Sequence, residues 1–188
     1  GQVGDDPFGN HLAEILEAES VNIDGLTFSK TARTALAFVS NTEDGDRSFM
    51  FYRHPSADML MTPDDIKTDV IDNSDIFHFG SVTMIHEPSK SATLKAVQYA
   101  LDAGKFVSYD PNLRLPLWDN ADAAKSGMLA GFEYANFVKI SDEELTFLTG
   151  GDDVAPLWRD HIEMICVTYG HKGAIIHLKD GTQIKHEG

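Results

Sequence analysis

A chain of 188 residues fits one domain of ordinary size and is long enough to bury a real core. Hydrophobic residues make up 42% and charged residues 24%, a globular composition, while a formal net charge of −15 argues against a nucleic-acid backbone or an anionic membrane as partner. The single cysteine, Cys166, sits in an apolar run and reads as a buried thiol in a reducing, cytoplasmic setting. No apolar run approaches the ~20 residues of a membrane span. The chain opens on Gly1-Gln2-Val3-Gly4 and closes on a strand pair, so the expectation is an internal fragment of a longer protein.

Asp6 followed by Pro7 predicts an N-cap and a first helical residue, with Phe8, Leu12, Ile15 and Leu16 on one apolar face. Two β-rich runs follow, Thr34–Val39 and Ser48–Arg53. They are separated by Asn41–Asp46, which contains Asp44-Gly45, and this predicts a hairpin. From about Asp75 the rhythm becomes strand, helix, strand, helix. Ile76–Phe79, Phe106–Tyr109, Phe137–Ile140 and Ile162–Thr168 read as strands. Between them lie a helix over Ser89–Ala103 with Leu94, Val97 and Leu101 on one face, a helix marked by Ala121, Ala124, Met128 and Phe132, and a short helix over Ser141–Thr149. Ala174–Leu178 and Thr182–Lys185 then form a hairpin around Asp180-Gly181. Such alternation implies βαβ units and a mostly parallel sheet covered on both faces, the α/β class.

Four parallel strands therefore end in polar or glycine-bearing turns on one sheet edge: Gly80-Ser81, Asp110–Arg114, Ser141–Glu144 and Thr168–Gly173. Ligands bind at that edge in open α/β sheets. Pro111 forces the chain to turn directly after a strand, which gathers Asp110, Asn112 and Arg114 in one compact loop. Arg114 is the group there best suited to an anion, with stacking on Trp118 or pairing with a surface acid as its structural alternative. Gly170 and Gly173 let backbone N–H groups approach a phosphate or purine, or else serve a tight connection at positive φ. Ser141-Asp142-Glu143-Glu144 is an S-x-x-E capping box. Glu144 is also a candidate for hydrated magnesium, and the two roles compete unless a water intervenes. Neither a Walker A loop nor G-x-G-x-x-G is present, and the histidines show no zinc spacing.

Several stretches, taken together, resemble the ribokinase-like (PfkB) sugar kinases, and among them the fructokinases. They are Val3–Gly9, Ala32–Phe38, Phe49–Leu60, Phe77–Ser81, Tyr109–Trp118, Lys139–Gly150 and Val167–Ala174. The resemblance implies a three-layer αβα sandwich truncated at both ends, with a small β lid over about residues 30–60 and the central sheet with its ATP-side turns over about 70–188. Fructose would lie between lid and sheet and ATP along the strand edge, and lids would pair in a homodimer. Arg53 matches the arginine extended toward the sugar, with Asp110 and Asn112 as further substrate-binding candidates. Arg114 matches the one near the transferred phosphate. Ser141 and Glu144 fall on the family's Asn-x-x-Glu metal and phosphate motif, with serine in place of asparagine. Thr168, Gly170 and Gly173 match its ATP-binding turn. The glycine-rich sugar-binding segment is expected before Gly1, and the Gly-Ala-Gly-Asp motif with the catalytic base after Gly188. The 188-residue chain alone is therefore expected to be inactive. Kinases of the same fold acting on 2-keto-3-deoxygluconate or ribose, and a non-catalytic kinase-like binding protein, are the alternatives.

Overall fold

The computed structural model describes residues 1–41 and 47–188. Strand β1 (Gln2–Gly4) leads into helix α1 (Pro7–Ala18), and a short strand β2 (Thr27–Ser29) pairs with β1 in parallel. Neither strand is announced by the sequence, since each is only three residues long. The Asp6 side chain caps α1 as predicted, accepting from the Phe8 and Gly9 backbone N–H groups at 3.0 Å each. It also takes the Thr34 N–H at 2.8 Å and the Thr34 hydroxyl at 2.9 Å, so the cap ties α1 to the chain entering the hairpin.

The packed face of α1 differs from the predicted one. Gly9 and Ala13 are buried, while Phe8, Leu12, Ile15 and Leu16 are exposed. A Cβ at position 9 would overlap the Gly4 carbonyl oxygen, so the helix settles on its smallest residues.

Strands β3 (Leu36–Asn41) and β4 (Arg47–Tyr52) form the expected antiparallel hairpin as a separate sheet. The predicted Asp44-Gly45 turn lies outside the described residues. A short helix α2 (Thr68–Asp72) then precedes the regular part of the chain. There β5 (Ile76–Gly80), α3 (Ser89–Asp102), β6 (Phe106–Asp110), α4 (Ala121–Phe132), β7 (Phe137–Ser141), α5 (Asp142–Thr149) and β8 (Met164–Thr168) alternate. Strands β9 (Ala174–Leu178) and β10 (Gln183–His186) close it as an antiparallel pair. The six-stranded sheet runs β10-β9-β8-β7-β6-β5, with β5 to β8 parallel.

Helices α3, α4 and α5, which connect the parallel strands, pack on one face of this sheet. Among the described residues the buried core takes one parity of each strand: Phe79, Val107 and Tyr109, Val138 and Ile140, Ile165 and Val167. On the other parity Ser108, Lys139 and Cys166 are half-buried and His78 is exposed. Strand order supplies the reason. Each new parallel strand is added on the same side of the last, and crossovers of one hand then place the connecting helices α3, α4 and α5 on one face. Helix α3 likewise buries Ala92, Thr93, Ala96, Val97 and Ala100, leaving Leu94 and Leu101 at the margin of the core.

Candidate active site

The carboxyl ends of β5 to β8 do share one edge. The register pairs Gly80 with Asp110 and Ser141 with Thr168, so the turns singled out in the sequence are neighbours in space. Two hydrogen-bonded joints hold them. At the first, the buried Ser81 hydroxyl donates to the Pro111 carbonyl at 2.5 Å, fastening the end of β5 to the turn after β6. At the second, Glu144 accepts the Ser141 N–H at 2.8 Å on one oxygen and the Leu113 N–H at 2.6 Å on the other, while Ser141 Oγ accepts the Glu144 N–H at 3.1 Å. The capping box is thus present, and its glutamate also clasps the β6 loop to the start of α5.

Asn112 occupies the left-handed region at φ 49°, which asparagine tolerates better than most residues and which completes the turn begun at Pro111. Its side-chain oxygen accepts from Arg114 Nη1 at 2.7 Å, and the Leu113 carbonyl accepts from the same nitrogen at 2.9 Å. Arg114 stacks, but on Phe49 of the hairpin rather than on Trp118, with Cζ 5.2 Å from the ring centroid. Trp118 instead lies against Gly127 of α4. Asp110 pairs with Lys139 at 3.2 Å, and its second oxygen is buried without a hydrogen-bond partner among the described residues.

The loop from Asp110 to Asp119 lines two cavities. Asn112, Leu113 and Arg114 border a cleft of about 220 Å³ with Lys139, Ser141, Glu143 and Glu144. Pro116, Leu117, Trp118 and Asp119 border a cavity of about 510 Å³ beneath the hairpin, with Phe49, Phe51, Arg53 and His86 among its other walls. Arg53 is therefore beneath the hairpin and not in the cleft. It is already paired, donating from Nε and Nη2 to Asp58 at 2.6 Å each, with only 8% of its side chain exposed. A third cavity of about 430 Å³, walled by Met61, Ile66, Val70 and Phe77, lies beside the edge strand β5 and gathers none of these groups except Gly80.

At the end of β8, Thr168 leads into a tight turn with Gly170 at φ 57° and Gly173 at φ 98°. The two glycines differ. A side chain at 170 would meet open space, whereas one at 173 would overlap the His186 carbonyl oxygen, so Gly173 serves the tight connection to β10.

Among the described residues no group of three or more His, Cys, Asp or Glu side chains could hold a metal ion. Both Glu144 oxygens already accept a backbone N–H, which fits a contact through water better than direct coordination. Two contributors were missed in the sequence. Lys139 shares its strand face with Ser141, a period-two relation that was available; Phe49 was not recognisable, because nothing local brings it to Arg114.

The family described as "pfkB family carbohydrate kinase" matches residues 1–187. The chain belongs to that family. Among curated PfkB relatives it is 48% identical to a probable fructokinase-4 of Arabidopsis thaliana, covering 95% of this chain and 56% of the relative. It is 47% identical to a fructokinase-2 of Solanum habrochaites, again over 95% of this chain and 56% of the relative. Among solved structures, a fructokinase from Xylella fastidiosa aligns with a TM-score of 0.90 at 32% identity, covering 98% of this chain and 58% of that one. A fructokinase from Vibrio cholerae O395 "in fructose, ADP and calcium ion bound form" aligns with a TM-score of 0.87 at 32% identity, covering 100% and 61%. The chain spans a little over half the length of these curated relatives. The ribokinase-like fold expected from the motifs is the fold of this PfkB chain.

Proposed function

We propose that the protein carrying this chain is an ATP-dependent fructokinase that phosphorylates the primary hydroxyl of fructose. The observation that carries the reading is the Asp110–Asp119 loop, which joins a cavity roomy enough for a hexose to a cleft bearing Arg114 and Lys139. Arg114, which has no carboxylate partner among the described residues, is the cation at that cleft best placed for a phosphate; Lys139 beside it is already paired with Asp110, and Glu143 and Glu144 line the same cleft. The relatives named fructokinase support the same chemistry.

In the step itself the sugar hydroxyl oxygen bonds to the γ-phosphorus as the bond to the ADP oxygen breaks. The hydroxyl proton passes to a base, which the resemblance locates on the Gly-Ala-Gly-Asp aspartate beyond Gly188. Arg114 stabilises charge on the transferred group and Lys139 on the neighbouring phosphate oxygens. Thr168 and Gly170 border the nucleotide. Glu144 with Ser141 would hold the hydration shell of a magnesium ion, which would supply neutralisation of phosphate charge.

Fructose is favoured over a sugar acid because Asp58 already neutralises Arg53, leaving it little net charge for a carboxylate. The test is a substrate panel on the full-length enzyme, with ADP release followed for fructose, ribose and 2-keto-3-deoxygluconate. Fructose is expected to lead in kcat/KM by about tenfold or more. Preference for either other sugar overturns the assignment, and no turnover with any of them favours a non-catalytic binding protein.

We also propose that the hairpin pairs two copies in a homodimer. Its outward face carries Phe38, Met50 and Tyr52, all at least 57% exposed, with Phe38 and Tyr52 packed edge to face at 5.4 Å.

A further inference from the structure

Phe49 stands opposite Val39 on the hairpin face that looks toward the body, stacked on Phe51 at 6.0 Å, and its ring covers the Arg114 guanidinium. The 5.2 Å separation lies inside the range, ~6 Å, at which a ring face attracts a cation. Arg114 Nη1 is occupied by Asn112 Oδ1 and the Leu113 carbonyl, whereas Nε and Nη2 have no partner among the described residues. One face and one corner of the guanidinium are therefore fixed, and the remaining two-nitrogen edge is left for an anion. Loop and hairpin hold that group jointly, although they lie about sixty residues apart in the sequence.

We infer that Phe49 is a positioning residue for phosphoryl transfer: by stacking on Arg114 it makes the orientation of that group depend on the hairpin being down over the loop. This rests on the proposed kinase reading and adds a coupling between hairpin and chemistry. The arrangement favours transfer when the hairpin covers the sugar, because an Arg114 freed from Phe49 loses its fixed plane. The ring acts through Arg114 and touches no substrate atom itself.

The test uses the full-length enzyme. Phe49→Leu keeps apolar bulk but removes the ring face, and should lower kcat about fivefold, with KM for ATP changed by less than about twofold. Phe49→Trp restores a ring and should hold kcat within about twofold of the unaltered enzyme. In an Arg114→Gln background, assayed at raised enzyme concentration, Phe49→Leu should cause no further loss. The inference is overturned if the fivefold loss persists in that background. It is equally overturned if Phe49→Leu is silent or if Phe49→Trp is as damaged as Phe49→Leu. Failure of the unaltered enzyme to phosphorylate any sugar is a different result, and overturns the proposed function together with this inference.

Discussion

Glu144 shows how a single side chain can fasten two segments far apart in the sequence. Its two oxygens take the N–H groups of Ser141, at the end of β7, and Leu113, in the loop after β6. Replacing it with glutamine turns one acceptor into a donor facing an N–H. Glu144→Gln should therefore destabilise the fold by about 1–3 kcal/mol, read as a lower urea midpoint. An unchanged midpoint would mean the clasp contributes nothing.

Asp6 carries a comparable load near the other end of the chain. The Thr34 backbone N–H, then that of Gly9, hold its carboxyl below the ordinary carboxylate range, assisted by the Thr34 hydroxyl and the Phe8 N–H against the opposing effect of burial. A group whose pKa is depressed on folding stabilises fully above its unfolded pKa, and that stability is lost as pH falls through the folded value. Urea midpoints measured downward from about pH 6 should thus fall below about pH 4, and Asp6→Asn should lower the neutral midpoint and flatten this acid limb.

At the scale of elements, two glycines one turn apart let α4 pack closely, Gly131 against the sheet and Gly127 against the loop after β6. A Cβ at Gly127 would overlap the ring of Trp118, and one at Gly131 the ring of Tyr109. Glycine in a helix interior is unfavourable by roughly 1 kcal/mol relative to alanine, so the close packing must offset that loss twice. Tyr109 is fully buried, donates its hydroxyl to the Met128 carbonyl at 2.9 Å, and has its pKa pushed up chiefly by burial. Gly131→Ala should lower stability by about 1–3 kcal/mol, seen as a reduced melting temperature, because the ring beside it has nowhere to go. Gly127→Ala should act less on stability and more on the cavity, since Trp118 is only partly buried and can swing outward.

For the molecule as a whole, the hairpin is the part with most to gain from a partner. Apolar side chains occupy both of its faces, and only the inward one meets the body, through Phe49, Phe51 and the Pro116–Trp118 segment. If two copies pair through the outward face, Phe38→Glu in the full-length protein should shift sedimentation from dimer toward monomer at micromolar concentration. A dimer that persists unchanged would remove the hairpin from the interface. The same scale explains why Arg53 and Arg114 have different surroundings. One loop serves both cavities, but Asp58 lies beside Arg53 whereas a ring lies over Arg114.

Much of this protein is legible along the chain, because its signals are local. The Asp6-Pro7 cap, the Ser141–Glu144 capping box, the turn at Pro111 and the glycine that ends α3 each depend on residues within one helical turn, so spacing reveals them. The strand rhythm likewise placed four polar turns on one edge, and their family motifs identified the fold. Tertiary structure alone decided which helix faces pack, that α3, α4 and α5 share one face of the sheet, that Asp58 neutralises Arg53, and that Phe49 covers Arg114. Most of these depend on where distant segments come to rest, and close backbone approach or a shared edge has no fixed period in a linear sequence.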